Sequence, residues 1–383
     1  MRRVRKAFEA LGVVLVALAS WVTPRASGRV AFVSLFHEGR FRGDAARLFE
    51  AAADAPAGIE GWWVARGGAA TCPSEGHGLP VHRHRLHWLL ALNRAEWVVT
   101  DDVRPGLALG RYRFVQLWHG TGFKRIGIDN PNRSAVGRWL WRHSGRQTAF
   151  VTATSAADAD KKARSLAVNR AVVTGAPRND RLFSSGARTD SVRRRCGIPA
   201  GELVCLYAPT FRDGGRAFAP FDAEDWSRID QCMATVGGRF LVCRHPADRV
   251  LDVPRDHDRV LDVTGKTEEI HDLLSITDLL VTDYSAIVTD FVLTGRPVIF
   301  HQPDLAEYMA HCRTFHYPFP EVLPGPFTGT TGELLERIAC RDWFDTPDYR
   351  ERYEAFVRRF HDYRDGHLTE RVLAELRRVV RGE

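Results

Sequence analysis

The segment from Gln116 to Arg125 concentrates side chains that could move a proton and hold an anion. Its sequence, QLWHGTGFKR, places His119 directly after a short apolar run and directly before Gly120. Gly120, Thr121 and Lys124 offer a backbone without bulk, a hydroxyl and a cation, which together suit a phosphate group. Since an imidazole titrates near neutral pH, His119 is a candidate general base beside that anion site. The alternative is a histidine that satisfies the backbone of a turn.

Two further segments place polar side chains where an apolar run ends. The run Leu203–Tyr207 leads to Thr210 and Arg212, and arginine suits bidentate contact with phosphate. Another run leads to His245, which stands before Pro246 and could donate to a phosphate oxygen at the end of a strand. An exposed loop arginine and a capping histidine are the alternatives at these positions.

The segment TDYS, residues 282–285, precedes a predicted helix over 286–293. Free N–H groups and the dipole at a helix N-terminus attract anions, and the hydroxyls of Thr282 and Ser285 add donors. Asp283 could instead be an N-cap residue. Asp290 lies seven residues on, so it shares a helix face with Asp283 if the helix begins at once. It is either a contact for a ribose or polyol hydroxyl or a solvated helix residue.

The chain also provides the elements that would bring these segments together. Short apolar strands alternate with helices in two series, over 29–174 and 203–300, a pattern typical of parallel sheets covered on both faces. We predict an α/β protein with two Rossmann-like doubly wound domains facing a cleft, where ligands meet the carboxyl ends of strands. The predicted parts are a basic and apolar helix over 1–28, α/β domains over 29–185 and 186–345, and a helical segment over 346–383 that packs back.

Charge and cysteine content narrow the class of protein. The 383 residues carry a net charge of +7, mostly from arginine, which favours anionic partners. No aromatic-and-basic module indicates nucleic acid binding. The seven cysteines are odd in number and lack a C-x-x-C pair, which favours a reducing compartment over a disulfide framework.

Metal and common nucleotide motifs are missing from the sequence. His82, His84 and His87 lie close together without acidic or cysteine partners, so surface-loop histidines are a better interpretation than a metal site. We therefore predict no metal and no cofactor. Neither G-x-x-x-x-G-K-[ST] nor a G-x-G-x-x-G after the first strand is present, which disfavours a nucleotide triphosphatase and a dinucleotide oxidoreductase.

The N-terminal segment suggests a contact with a membrane surface. Residues 11–22 are apolar but too few to span a bilayer, which takes about 20 residues. Four basic residues precede them within the first six positions, and the apolar residues have helical spacing. An amphipathic helix at an anionic surface is the favoured interpretation, and a signal sequence and a tilted anchor are the alternatives.

These segments, in this order, resemble the CDP-glycerol glycerophosphotransferase family of teichoic-acid and capsule synthesis. The resemblance runs from about residue 29 to the C-terminus and rests on WHGT at 118–121, GAPRND at 175–180, YAPT at 207–210 with Arg212, RHP at 244–246, TDYS at 282–285 with Asp290, and DG at 365–366 with Arg371. Each piece is weak by itself, whereas all of them in order are strong. The resemblance implies a two-domain GT-B fold and transfer of a polyol phosphate from CDP-glycerol or CDP-ribitol to an acceptor hydroxyl, with release of CMP.

The resemblance also implies roles for single residues. His119 would take the proton of the acceptor hydroxyl. His245, Thr282 and Ser285 would hold the diphosphate with Arg212 nearby, and Asp290 would contact donor hydroxyls. Further donor contacts are expected at Thr210, Gly120, Thr121 and Lys124. Ala286 stands where the family often has a second serine, so one hydroxyl donor is missing here.

The resemblance further implies a lipid-linked or polymer acceptor and a place on the inner face of the cell membrane. The long N-terminal domain of the large polymerases is missing, which favours a compact priming-type or capsule enzyme. Two alternatives stay open. One is a GT-B glycosyltransferase that uses a nucleotide sugar, and the other is a protein without catalytic activity that binds anionic polymer at the membrane surface.

Overall fold

The chain forms two compact units. In this computed structural model the described residues are 2–37, 39–54, 58–64, 87–102, 105–210, 212, 218–244, 251–311, 315–317 and 321–383, with residues 2–10 and 87–90 described by their backbone. The N-terminal unit comprises residues 1–119, 125–180 and 361–383, and the C-terminal unit comprises residues 120–124 and 181–360.

Strands and helices alternate throughout both units. Up to residue 173 the elements are α1 (Arg2–Ala19), β1 (Ala26–Val33), α2 (Gly43–Asp54), β2 (Glu60–Trp63), α3 (His87–Arg94), β3 (Ala95–Thr100), β4 (Phe114–Gln116), α4 (Ala135–Arg146), β5 (Thr148–Ala153), α5 (Ala156–Leu166) and β6 (Ala171–Val173). The remaining elements are α6 (Ala187–Cys196), β7 (Leu203–Tyr207), α7 (Ala223–Thr235), β8 (Gly238–Val242), β9 (Val260–Asp262), α8 (Ile270–Ile276), β10 (Leu279–Thr282), α9 (Ile287–Phe291), β11 (Val298–His301), α10 (Leu305–His311), β12 (Phe327–Thr328), α11 (Thr331–Ala339), α12 (Pro347–Phe360) and α13 (Leu368–Arg381).

Each unit is built on one six-stranded parallel sheet. The strand order is β2-β1-β3-β4-β5-β6 in the N-terminal unit and β9-β8-β7-β10-β11-β12 in the C-terminal unit. The direction of winding reverses between β1 and β3 in the first sheet and between β7 and β10 in the second. In doubly wound sheets, ligands bind beyond the carboxyl ends of the strands at such a reversal. The predicted α/β class with two parallel sheets is confirmed.

The sheet of the N-terminal unit is buried on both faces, as the apolar strand sequences predict. Val30 and Phe32 of β1 point into a core that includes Phe49 and Trp63, whereas Ala31 and Val33 point into a second core on the other face. Helix α13 packs its apolar face against α2 in the first of these cores. Its buried residues are Leu368, Val372, Leu373 and Leu376, the set that the helical spacing predicts.

The division of the chain differs from the predicted domain ranges at the boundary, which falls between residues 180 and 181 instead of 185 and 186, and in two further segments. Residues 120–124 belong to the C-terminal unit, where Phe123 is buried against Phe356 and Phe360 of α12. Residues 361–383 belong to the N-terminal unit, since α13 completes its core. Both assignments depend on contacts between residues far apart in sequence, which helical and strand periodicity does not encode.

Candidate functional site

His119 follows β4 in the N-terminal unit and its imidazole orientation is fixed by one hydrogen bond. Nδ1 lies 3.0 Å from the main-chain oxygen of Asp101, which follows β3. A carbonyl oxygen can only accept, so Nδ1 must carry the proton and donate. The neutral ring then has its lone pair on Nε2, which is the form that a general base needs.

Two aromatic rings pack on this imidazole. The ring of Phe36 is stacked on it with centroids 4.3 Å apart and planes 5° apart, and the ring of Trp118 is stacked at 4.4 Å and 27°. Trp118 adopts φ 60°, a conformation that costs a bulky side chain free energy. Its main-chain N–H donates to Oε1 of Gln116 at 3.1 Å, which helps to hold this turn. The surroundings therefore leave the imidazole little rotational freedom.

The pKa of His119 is lowered from its ordinary value of 6.5. Burial is the main cause, and the charges of Arg178 and Lys162 add to it, while Asp102 and the hydrogen bond to Asp101 oppose it. The neutral base is therefore the dominant form of His119 at neutral pH.

Asp101 connects the loop after β1 to the histidine. Its carboxylate accepts hydrogen bonds from the hydroxyl of Ser34 and, at 3.0 Å, from the main-chain N–H of Phe36. The side chain is buried, and that burial raises its pKa to about 7. The sequence shows Asp101 at a strand end, but it does not show that Ser34 and Phe36 meet it there.

The motif GAPRND at 175–180 has structural contacts in the N-terminal unit. Asp44, near the start of α2, accepts from the main chain of Arg178 at 2.7 Å and from its guanidinium at 2.5 Å. Asp180 accepts from the N–H groups of Leu368 and Thr369, both at 2.9 Å, at the start of α13. The motif therefore ties two helices to the end of β6.

A buried cluster of charges lies on α5. Asp158 is 2.7 Å from the ammonium of Lys162 and 3.2 Å from that of Lys161. Lys162 also donates to the main-chain oxygen of Thr152 at 3.0 Å, at the end of β5. Lys162 is thus fixed as one of the cations whose charge lowers the pKa of His119.

The segment 120–124 contacts Ala286 and α9, which follow the TDYS segment within the C-terminal unit. The hydroxyl of Thr289 donates to the main-chain oxygen of Thr121 at 3.0 Å. A β-carbon built on Gly122 would lie 3.7 Å from that of Ala286, so the two segments approach closely. Lys124 pairs by a β-bridge with Phe315 and its ammonium is 5.8 Å from the ring centre of Tyr308. The structure thus brings together residues that lie 168 positions apart in the sequence.

Asp283 joins the ends of β7 and β10, where the second sheet reverses its winding. Its carboxylate accepts from the main-chain N–H of Thr210 at 2.9 Å and from the guanidinium of Arg212 at 2.8 Å. Helix α9 begins only at Ile287, so the alternative of Asp283 as an N-cap was wrong. The predicted helix over 286–293 is shorter than expected, since a 3-10 turn replaces it from Val292. A helix of five residues has only a small dipole, which weakens that part of the anion-site argument.

The two hydroxyls of the TDYS segment differ in their surroundings. The hydroxyl of Thr282 is buried and donates to the main-chain oxygen of Ala208 at 2.8 Å. The Ser285 oxygen is half-buried and accepts from the N–H of Ile287 at 3.3 Å. Of the two, Ser285 is better placed to offer a proton to a ligand.

Arg212 is held by two carboxylates. It makes a bidentate contact with Asp304, at 2.7 and 2.9 Å, in addition to its bond to Asp283. Its guanidinium also lies 3.7 Å from the ring centre of Phe218. Burial would lower the pKa of Arg212, but the hydrogen bonds to Asp304 and the charge of Asp283 raise it. Sequence reasoning missed Asp304 as the partner of this arginine.

Asp290 forms a buried pair with a histidine that sequence reasoning also missed. Its carboxylate oxygen is 3.2 Å from Nε2 of His271, on α8. Asp290 is buried, so the alternative of a solvated helix residue was wrong. His245 lies outside the described residues, as do His82 and His84.

Metal and disulfide chemistry receive no support from the described part of the chain. Within it, no group of three or more histidine, cysteine, aspartate or glutamate side chains could hold a metal ion. The described cysteines are free thiols at positions 196, 205, 232, 243 and 340.

A family match decides the class of this protein. The sequence profile of the family described as CDP-glycerol:poly(glycerophosphate) glycerophosphotransferase matches residues 15–378. The chain belongs to this family. The matched range contains residues 118–121, 175–180, 207–210 and 282–285.

Relatives in this family include enzymes of teichoic-acid synthesis. The teichoic acid ribitol-phosphate polymerase TarK of Staphylococcus aureus is 28% identical over 308 residues, which cover 77% of this chain and 58% of that protein. The teichoic acid glycerol-phosphate transferase of the same organism is 29% identical over 319 residues, which cover 77% of this chain and 80% of that protein. The match covers 58% of TarK and 53% of a second ribitol-phosphate polymerase of that organism, TarL, so the chain spans little more than half the length of these relatives.

Solved structures support the fold. The wall teichoic acid polymerase TagF superposes with a TM-score of 0.79 at 19% identity, covering 100% of this chain and 98% of that one. At that identity the likeness concerns the fold alone, and it confirms the predicted GT-B class. None of the helices among the described residues is both long enough and apolar enough to cross a membrane.

Proposed function

We propose that this protein transfers a glycerol phosphate or ribitol phosphate unit from a CDP-activated donor to an acceptor hydroxyl and releases CMP. The observation that carries the proposal is His119, which has a fixed tautomer, a lowered pKa and a place in a family segment. Relatives named for glycerol-phosphate and ribitol-phosphate chemistry support the substrate class.

We assign proton transfer to a residue of the N-terminal unit. Nε2 of His119 takes the proton of the acceptor hydroxyl while that oxygen attacks the phosphorus that bears the polyol. The phosphorus–oxygen bond to CMP breaks in line, and CMP leaves with the electron pair. Positioning of the reactants and stabilisation of charge account for most of the rate enhancement in such transfers.

Donor binding is assigned to the carboxyl edge of the second sheet. We assign the diphosphate to Ser285 and His245, with Thr210 and Arg212 at the adjoining end of β7. Thr282, predicted as a further donor, instead bonds to the main-chain oxygen of Ala208. Gly120, Thr121 and Lys124 add a further cation and main-chain groups, since that segment packs against Ala286 and Thr289 in the same unit. Asp290, fixed by His271, would accept from donor hydroxyls.

The decisive test is a donor panel with purified protein. CDP-glycerol, CDP-ribitol and a set of UDP-sugars are incubated with a lipid-linked or polymeric polyol-phosphate acceptor, and the released nucleotide is measured. We expect CMP from one or both CDP donors. Release of UDP alone would favour a glycosyltransferase, and acceptor binding without any turnover would favour a polymer-binding protein.

We also propose that α1 places the protein on the inner face of the cell membrane, where a lipid-linked acceptor would lie. Leu11, Leu15 and Leu18 are 52–58% exposed and have the spacing of one helix face, and Ala17 on the other side is buried. The basic residues at positions 2, 3, 5 and 6 precede this face. An apolar face beside basic residues suits an anionic interface.

Vesicle flotation tests this location. Wild type should bind vesicles of anionic lipid and should not bind neutral vesicles. Leu15→Glu combined with Leu18→Glu should abolish the binding to anionic vesicles. Met309→Glu, at a residue of the C-terminal unit that is 48% exposed, is the matched control and should bind like wild type. Equal binding by the double variant would contradict the role of α1.

A further inference from the structure

Three strand ends of the N-terminal unit meet around His119. Ser34 and Phe36 follow β1, Asp101 follows β3, and His119 follows β4. Asp101 contacts both of the other segments, because its main-chain oxygen accepts from His119 and its carboxylate accepts from Ser34 and Phe36. Asp101 thus links the loop after β1 to the imidazole, in addition to the direct stacking of Phe36 on that ring.

We propose that Asp101 is a positioning residue for His119, and that its carboxylate acts through Ser34 and Phe36. The main-chain oxygen of Asp101 sets the tautomer of the imidazole. The carboxylate holds the loop so that the Phe36 ring stays parallel to that imidazole. The role in catalysis rests on the proposed function, in which His119 is the base.

Ser34 accepts one hydrogen bond and donates another. The main-chain N–H of His37 donates to the Ser34 oxygen at 3.3 Å, so the hydroxyl proton is free to point at the Asp101 carboxylate. The second carboxylate oxygen accepts from the N–H of Phe36. The Asp101 side chain therefore holds both ends of the three-residue stretch 34–36 that precedes His37.

The stacking geometry shows what this loop does for the histidine. Rings with centroids 4.3 Å apart and planes 5° apart are stacked on each other. Rotation of the imidazole would break this contact and the bond to the main-chain oxygen of Asp101 together. The Phe36 ring also removes water from one face of the imidazole, and burial is the largest cause of its lowered pKa.

Asp101 is poorly placed to be the base itself. It is 2% exposed, and each carboxylate oxygen already has a donor. The charged groups that act on His119 are Asp102, Arg178 and Lys162, and the carboxylates that act on Asp101 are Asp44 and Asp102. A change at Asp101 should thus reach His119 through packing and hydration.

The test compares Asp101→Asn and Ser34→Ala with the matched control Asp129→Asn. Asp129 accepts from the hydroxyl of Ser165 at 2.5 Å in the same unit, so the control also removes a carboxylate–serine bond. We expect a decrease in kcat of about 10- to 100-fold for Asp101→Asn and a smaller decrease for Ser34→Ala, with KM for the donor unchanged. The control should keep wild-type kinetics.

A second readout does not need turnover. Nitrogen-15 NMR of the imidazoles follows the tautomer and pKa of His119, whose signal among the 15 histidines is identified by its loss in His119→Gln. The wild type should show protonated Nδ1, unprotonated Nε2 and a pKa below 6.5. In both test variants that pKa should rise toward 6.5, because the imidazole gains water.

Three outcomes decide between the ideas. An unchanged His119 spectrum and pKa in folded Asp101→Asn and Ser34→Ala would overturn the positioning role. A loss of turnover in Asp101→Asn as complete as in His119→Gln, with the His119 spectrum unchanged, would make Asp101 the proton acceptor and also overturn it. If wild type releases no CMP from either donor, the proposed function fails while the NMR comparison still tests the positioning of His119.

Discussion

At the scale of single residues, His119 has the properties of a base that is ready before substrate binds. The main-chain oxygen of Asp101 fixes its tautomer, and burial keeps its pKa low. His119 was predicted from one strand and one glycine-rich turn. Phe36 and Ser34 were not predicted as part of this site. They follow β1, and only the order of strands in the sheet places β1 beside β3.

The pKa of His119 predicts the acidic limb of the pH–rate profile. A base must be neutral, so activity should be full above this pKa and fall as the pH decreases through it, at a value below 6.5. Asp102→Asn should move the limb to still lower pH, because the negative charge of Asp102 raises the pKa of His119. The prediction is checked by measuring kcat/KM for the donor from about pH 4.5 to about pH 8, which covers the titration of a histidine. A limb that moves upward would contradict this electrostatic assignment.

The buried pair of Arg212 and Asp283 predicts a large stability effect. Asp283→Ala leaves the guanidinium with one carboxylate fewer and leaves two main-chain donors without their acceptor. Removal of one partner of a buried ion pair costs about 3–5 kcal/mol in the free energy of unfolding. Urea unfolding followed by tryptophan fluorescence measures the loss.

An exposed ion pair is the control for that experiment. Arg371 and Asp365 pair with side chains that are 29% and 44% exposed. Asp365→Ala should cost about 1 kcal/mol or less, because water screens such a pair. Equal losses for the two variants would show that burial does not decide the cost.

At the scale of elements, the residue at position 175, after β6, packs so closely against the start of α13 that there is no room for a β-carbon. Gly175 has φ 78°, and a β-carbon there would lie 2.5 Å from Cδ2 of Leu368. In the sequence Gly175 opens the GAPRND segment, but the positive φ and the packed helix that together require glycine there are found only in the structure. Helical periodicity predicted the apolar face of α13 without predicting which unit it would join.

Gly175→Ala should therefore destabilise the N-terminal unit. We expect a loss of about 2–4 kcal/mol, from the strain of a positive φ together with overpacking. Gly201→Ala is the control, since Gly201 has φ 80° but no atom within 4 Å of the added carbon. Its cost should be about 1 kcal/mol, from backbone strain alone. Hydrogen exchange of β5, β6 and α13 localises the effect, and equal costs for both variants would exclude the clash with Leu368.

At the scale of the whole molecule, the two units have separate roles in the proposed reaction. The base belongs to the N-terminal unit, and the side chains assigned to the donor belong to the C-terminal unit. Proton transfer and donor binding should therefore respond to different substitutions.

His119→Ala should lower kcat by about 10²- to 10⁴-fold and leave CDP-glycerol affinity unchanged, because a base acts in the transition state. Ser285→Ala should weaken donor affinity by about 3- to 10-fold through the loss of one hydrogen bond. Calorimetric titration with donor, together with single-turnover CMP release, separates the two effects. If His119→Ala weakened donor affinity and Ser285→Ala lowered kcat alone, the assignment of His119 as the base and Ser285 as a donor contact would be wrong.

The sequence by itself determined the two alternating series of strands and helices, and with them two parallel sheets. It also placed His119, Thr210, Thr282 and Ser285 at strand ends, because the periodicity and the turn residues that define a strand end are local. The tertiary structure alone decided which strand ends became neighbours. Asp101 reaches His119, Asp283 reaches Arg212, and Thr289 reaches Thr121 only after distant strands take their order in the sheet. Such contacts depend on topology and packing between residues far apart in the chain, which no local pattern specifies.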